Sequence, residues 1–113
     1  MIPAAALKEI QTRASQSPNR EVCGLIDSTG RVYPLRNTAL QDHHFQMSKQ
    51  EYGLAVNTIK AAGNSITCVY HSHINGDATP SAADRLSQQA LKIPYLIIAG
   101  TTAFWLGSDH AKK

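Results

Sequence analysis

The stretch "CVYHSHINGDATPSAADR", residues 68–85, gathers the side chains best suited to do chemistry. His71 and His73 stand two residues apart at the end of an apolar run. In a strand both would point to one side, with alpha carbons roughly 6.5–7 Å apart, so two imidazoles can converge on one metal ion. Asp84 falls in what reads as the first turn of the next helix, and the loop "INGDATP" is long enough to return that turn to the strand end. Two histidines and one carboxylate form an open site with a fourth position left for water, the pattern of catalytic zinc. No thiolate is required, which makes zinc the first choice of metal. Hydrolysis also needs a carboxylate that meets the water without ligating the metal and later delivers the proton to the leaving amine. Glu21, at the head of "EVCGLID", is the candidate. Ser81 could donate its hydroxyl to the oxyanion of a tetrahedral intermediate.

Each residue also has a plainer reading. Ser81 followed three positions later by Asp84 is a helix N-cap, and for those two alone capping is the better explanation. A His-x-His pair is common on surfaces, and an isolated Glu21 is a solvated charge. The catalytic reading draws its weight from finding all five residues together. Other reactive types carry less. His43 and His44 are adjacent and point in different directions, which suits a surface loop, with one of them able to line a cleft. Cys23 lies in an apolar strand with nothing to depress its pKa, so it reads as a packed thiol. Phe104 and Trp105 read as packing, Asp77 as a loop residue and His110 as part of a polar tail.

The elements that must position these residues are legible from pattern and punctuation. "AAALKEIQTRAS" holds good helix formers behind Pro3, and "QSPNR" breaks it. "EVCGLID" reads as a strand, "STG" as a turn and "RVYPLRN" as the returning strand, at an edge because of Pro34. "TALQDHH" reads as a loop and "HFQM" as a short strand. "SKQEYGLAVNTIKAAGN" predicts a helix with a Ser48–Glu51 capping box, ended by Gly63 and Asn64. "SITCVYH" is apolar almost throughout, as a central strand would be. "SAADRLSQQALK" predicts a third helix opened by Ser81, and "YLIIAG" and "AFWL" two last strands around "GTT". That order implies an α/β (α+β) domain, a mixed sheet flanked by helices, over residues 1–113.

Composition sets the outer bounds. The 113 residues suit one domain, which at this size buries roughly 65% of its unfolded surface. The chain is 42% hydrophobic and 17% charged, with net charge +3. Its eleven Lys and Arg are scattered, which argues against a nucleic-acid interface. The two cysteines sit in apolar runs and read as buried thiols, favouring a reducing compartment. "MIPAAALKEIQTR" lacks the basic start and apolar core of a signal peptide, and no run reaches the length of a membrane span. A cytoplasmic protein is the expectation, with no nucleic-acid or membrane partner.

The spacing of the five residues resembles the JAMM (MPN+) zinc metallopeptidases. The motif stands here as "EVCG" (Glu21 to Gly24), "HSH" (His71 to His73), seven residues, and "SAAD" (Ser81 to Asp84). The element order agrees with that fold, a JAMM/MPN-like sheet with the layering of cytidine deaminases. The resemblance implies that His71, His73 and Asp84 hold one zinc ion per chain, that Glu21 is the general acid/base and that Ser81 stabilises the oxyanion. Ser72, between the ligands, would face away into packing or a backbone hydrogen bond. One departure is Ile74, where many members carry proline after the second histidine, which bears on the shape of the substrate-side loop. Within the family the chain is most similar to the compact prokaryotic branch and to the N-terminal JAMM domain of lambda-like phage tail-tip assembly proteins. Those proteins continue into a cell-wall peptidase domain, so the chain is either stand-alone or a domain of a longer protein.

The resemblance implies a peptidase or isopeptidase acting on a protein or peptide: a ubiquitin-like protein's conjugates or extensions, or a phage tail protein. The alternatives are a non-catalytic assembly or interaction module, which usually lacks one or more ligands, and a regulatory metal-binding protein, which would leave Glu21 and Ser81 without roles. Oligomeric state stays open.

Overall fold

Capping and alternation place the elements. The structure, a computed structural model, describes residues 2–40 and 44–107. Helix α1 spans Ala4–Ser15, and the Pro3 carbonyl accepts from the Ala6 and Leu7 N–H groups in its first turn. Strands β1 (Cys23–Asp27) and β2 (Val32–Leu35) form a hairpin. Helix α2 (Lys49–Ala61) leads to β3 (Ile66–Ser72), and α3 (Ala82–Leu91) to β4 (Tyr95–Ala99) and β5 (Thr102–Leu106). The sheet order is β2-β1-β3-β4-β5, with β3 and β4 parallel and the other neighbours antiparallel. The mixed sheet and the central place of "SITCVYH" are as the sequence implies, and Pro34 sits on an edge strand.

The two sheet faces bury different partners. On one, Ala6 and Ile10 of α1 pack on Ile26, Cys68, Tyr70, Leu96 and Ile98. On the other, Ala55 and Ile59 of α2 pack on Leu25, Val69 and Tyr95, with Leu91 of α3 alongside. This alternation sends Tyr70 to the α1 side and His71 to the α2 side. Gly24, opposite Tyr70 in the register, lets the tyrosine ring lie across β1: a Cβ there would come within 2.6 Å of that ring.

Two local expectations change. Ser48 does accept from the Glu51 N–H at the start of α2, but the Glu51 carboxylate does not complete the box. It accepts from the Arg36 N–H at 2.7 Å instead, while the Ser48 N–H that would close the box donates to the Arg36 carbonyl at 3.1 Å. "HFQM" forms no strand: only Met47 pairs, through an isolated bridge to Asn37, since side-chain hydrogen bonds from Asn37 replace a ladder there. The end of α2 is as expected, with Gly63 at φ +78° and the Asn64 N–H reaching back to the Ile59 carbonyl.

Candidate metal and catalytic site

The His-x-His pair lies at the C-terminal end of the central strand, His71 within β3 and His73 just past it. The loop that follows returns to Ser81, which opens α3 with a complete capping box: Ser81 Oγ accepts from the Asp84 N–H at 3.0 Å, and an Asp84 oxygen accepts from the Ser81 N–H at 2.9 Å. The residue that α3 buries is Asp84, an acid rather than an apolar side chain. The capping pair thus aims this carboxylate at the end of β3. Asp84 Oδ1 lies 3.0 Å from His71 Nε2 and Oδ2 lies 2.9 Å from His73 Nε2.

Glu21 completes the cluster from β1. It sits two residues before the strand begins, which puts its side chain on the same face as Cys23 and His71. Its carboxylate and the imidazole nitrogens of His71 and His73 lie within 4.8 Å of one another. All four side chains named for the ligand set and the base therefore converge. Ser81 flanks them; its oxygen accepts the capping bond, so its own O–H is free to donate. Ser72 faces the other way and accepts from the Val22 N–H at 2.9 Å, as the alternation requires.

The electrostatics separate the roles. Glu21 is 4% exposed, and burial pushes its carboxyl up to about 7, with the His73 charge opposing and Asp84 adding to the rise. Burial acts on Asp84 in the same direction but is overcome: the two imidazoles and the Ser81 N–H hold it well below the usual carboxylate range. Burial holds His71 below its ordinary value, keeping it neutral as a ligand must be, although Asp84 opposes this. His73 is raised, chiefly by its hydrogen bond to Asp84, and its Nδ1 is oriented by the Asp77 carbonyl at 2.8 Å.

The residues fit a metal on an observation independent of the motif. His71 is fully buried, yet neither ring nitrogen has a hydrogen-bond partner among the described residues. The 3.0 Å approach of Nε2 to Asp84 lacks hydrogen-bond alignment. A buried imidazole left in this way costs roughly 1–3 kcal/mol unless something binds it. Its ring is instead clamped by aromatics: Phe45 stacks on it at 4.1 Å and 20°, and Tyr95 meets it edge-on at 5.8 Å.

The cysteines and His44 fall where the plainer reading put them, whereas Phe104, read as packing, is exposed. Cys23 and Cys68 are buried free thiols, each pushed up to about 12 by burial. His44 is exposed, while His43 and His110 lie outside the described residues. Three contributors were not visible in the sequence as such: Asp77, acting through its carbonyl, Phe45, and Asn37, whose amide bonds the Glu21 carbonyl at 2.9 Å. The one signal for Asn37 was an Asx residue where an edge strand gives way to a loop.

A mixed sheet with helices on both faces and a His-x-His, Ser-x-x-Asp and Glu cluster at the strand ends defines a JAB-type domain. The chain belongs to the prokaryotic homologs of the JAB domain, whose family model matches residues 3–107. It is 31% identical to a desampylase of Haloferax volcanii over 91% of this chain and 82% of that protein. It is also 27% identical to the tail tip assembly protein K of Escherichia phage N15, covering 80% of this chain but 37% of the phage protein. Among solved structures, a protein of Desulfitobacterium hafniense superposes with a TM-score of 0.75 at 28% identity, over 96% of this chain and 84% of that one. A protein of Salinibacter ruber shares the fold with a TM-score of 0.61 at 20% identity, over 93% and 80% of the two chains.

Proposed function

We propose that this protein is a zinc-dependent isopeptidase that releases a small ubiquitin-like protein from its conjugates or extensions. The observation that carries the reading is the convergence of Glu21, His71, His73 and Asp84 around a buried imidazole without a hydrogen-bond partner among the described residues. His71, His73 and Asp84 would hold the ion. Bound there, zinc would supply Lewis acidity, drawing charge from the scissile carbonyl and easing loss of a proton from water.

The rest of the work falls to the chain's own side chains. Glu21, buried beside the two imidazoles, takes the proton of the attacking water and returns it to the departing amine. Ser81 donates its free O–H to the carbonyl oxygen as negative charge grows there. The capping box holds Asp84 and Ser81 rigid relative to each other, so ligand and oxyanion donor move as one unit. The desampylase relative supports a protein conjugate as the substrate class. The phage relative supports the second reading, an assembly module, which would need none of these groups to be filled. Two buried free thiols fit a reducing, cytoplasmic setting.

The test is cleavage of an isopeptide-linked ubiquitin-like conjugate by the zinc-loaded protein. Release of the free modifier that stops with chelator, and is lost in Glu21→Gln, is the expected result. A wild-type protein that binds the conjugate equally with and without chelator, and never releases product, would favour the assembly module.

A further inference from the structure

We propose that Asn37 is a positioning residue that sets Glu21 and the His71 imidazole relative to each other; this rests on the zinc isopeptidase reading above. Asn37 lies two residues past β2, where the chain leaves the sheet edge. Its side-chain amide uses every hydrogen-bonding slot it has. Nδ2 donates to the Glu21 carbonyl at 2.9 Å and to the His44 carbonyl at 3.0 Å. Oδ1 accepts from the Ala39 N–H at 2.9 Å and the Gln46 N–H at 3.0 Å. Two carbonyls face one end of the amide and two N–H groups the other, so only one orientation of the amide satisfies all four.

Two ties brace the same point. Arg20 donates through Nη2 to the carbonyls of Asn37 at 3.1 Å and Ala39 at 2.7 Å. The Thr38 N–H donates to the Gln46 carbonyl at 2.8 Å, and Asn37 bridges to Met47. Asn37 therefore grips the residues on either side of Phe45, while its other donor bond holds Glu21.

Phe45 is the ring that stacks on His71. A metal-binding histidine is usually oriented by a hydrogen bond from its second ring nitrogen. His73 has that bond, to the Asp77 carbonyl. His71 has none among the described residues, and packing between Phe45 and Tyr95 takes its place. Asn37 thus reaches one ligand through Phe45 and the base through a backbone carbonyl, without touching substrate or metal itself. Residues that orient ligands from behind typically change metal affinity or activity about 10–100-fold when replaced.

Asn37→Asp in the full chain is the test, because it keeps the acceptor side and turns the donor side against two carbonyls. In the metal-free wild type, the His71 ring protons should resonate upfield under the Phe45 ring; in Asn37→Asp that shift should collapse. Zinc affinity by chelator competition should weaken about 10-fold, and kcat should fall about 10-fold with KM little changed. A purely structural Asn37 would lower Tm and leave all three unmoved, which would overturn the proposal. Should Asn37→Asp not fold, Arg20→Ala loosens the same brace and Phe45→Leu removes the stacking alone. Each should move the His71 shift and zinc affinity in the same direction, and wild-type zinc affinity in Phe45→Leu would overturn the proposal. If the wild type neither binds zinc nor hydrolyses conjugates, the isopeptidase reading falls, while the His71 shift in Asn37→Asp still decides whether the brace exists.

Discussion

Two buried carboxylates bracket the same strand, and they behave in opposite ways. Glu21 lies just before β1 and is 4% exposed; Asp27 ends β1 and is 2% exposed. Burial alone would raise both. Asp27 is nevertheless held below its ordinary value, because it accepts from the Thr29 hydroxyl, the Tyr33 hydroxyl and the N–H groups of Arg31 and Thr29. No hydrogen bond reaches the Glu21 carboxylate among the described residues, and its pKa rises to about 7. A carboxylate whose lone pairs are satisfied locks a turn. One without such donors, buried beside two histidines, is poised to exchange a proton.

The comparison can be broken most sharply at Glu21. In the zinc-loaded protein Glu21→Gln should lower kcat by about 10²–10⁴-fold, measured by release of modifier from a conjugate, with zinc retained. A similar loss from Asp27→Asn with stability unchanged would erase the distinction. Asp27→Ala should instead destabilise the fold by about 2–4 kcal/mol in urea unfolding, since four donors lose their acceptor, and leave zinc affinity unchanged.

The two acids should also separate by pH. The folded-state pKa of Glu21 is about 7, above the 4.5 of an ordinary glutamate, so between those values the folded chain binds more protons than the unfolded one. In the metal-free protein this contribution to stability falls as pH rises through about 4.5 to 7. Asp27 has the reverse sign: its contribution is present above the unfolded pKa and lost as pH falls through its lowered folded value. Thermal unfolding of metal-free Glu21→Gln against wild type should show the variant more stable at pH 8, with the gap closing towards pH 4.5. A gap that widens on acidification would contradict the assignment. The smallest effect is expected at Ser81: losing the cap in Ser81→Ala should cost about 1 kcal/mol of stability, and a larger drop in kcat than that loss of fold explains would mark the hydroxyl as an oxyanion donor.

Why some of this was legible in the sequence follows from the range of the forces involved. Caps and alternation act within a few residues, so the helix opened by Ser81, the Gly63–Asn64 stop and the opposite facings of His71 and Ser72 could be read from local pattern. The ligand-competent residues were legible because their types and spacing are themselves the chemistry. Long-range pairing was not. Glu51 spends its carboxylate on Arg36 rather than on its own helix, Asp77 serves through a carbonyl that every residue has, and Asn37 joins Glu21 to the segment around Phe45 only once the sheet edge has formed. The raised pKa of Glu21 depends on burial by residues distant in the chain, which spacing does not encode.

The central claim is that His71, His73 and Asp84 form a single metal site. Its most direct test is a zinc titration of the metal-free protein followed through the imidazole ¹⁵N resonances. We predict that one equivalent shifts the Nε2 signals of both His71 and His73 together, and that Asp84→Asn weakens this binding without unfolding the chain. Saturation at one equivalent with either imidazole unmoved, or no binding by a folded wild type, would contradict it.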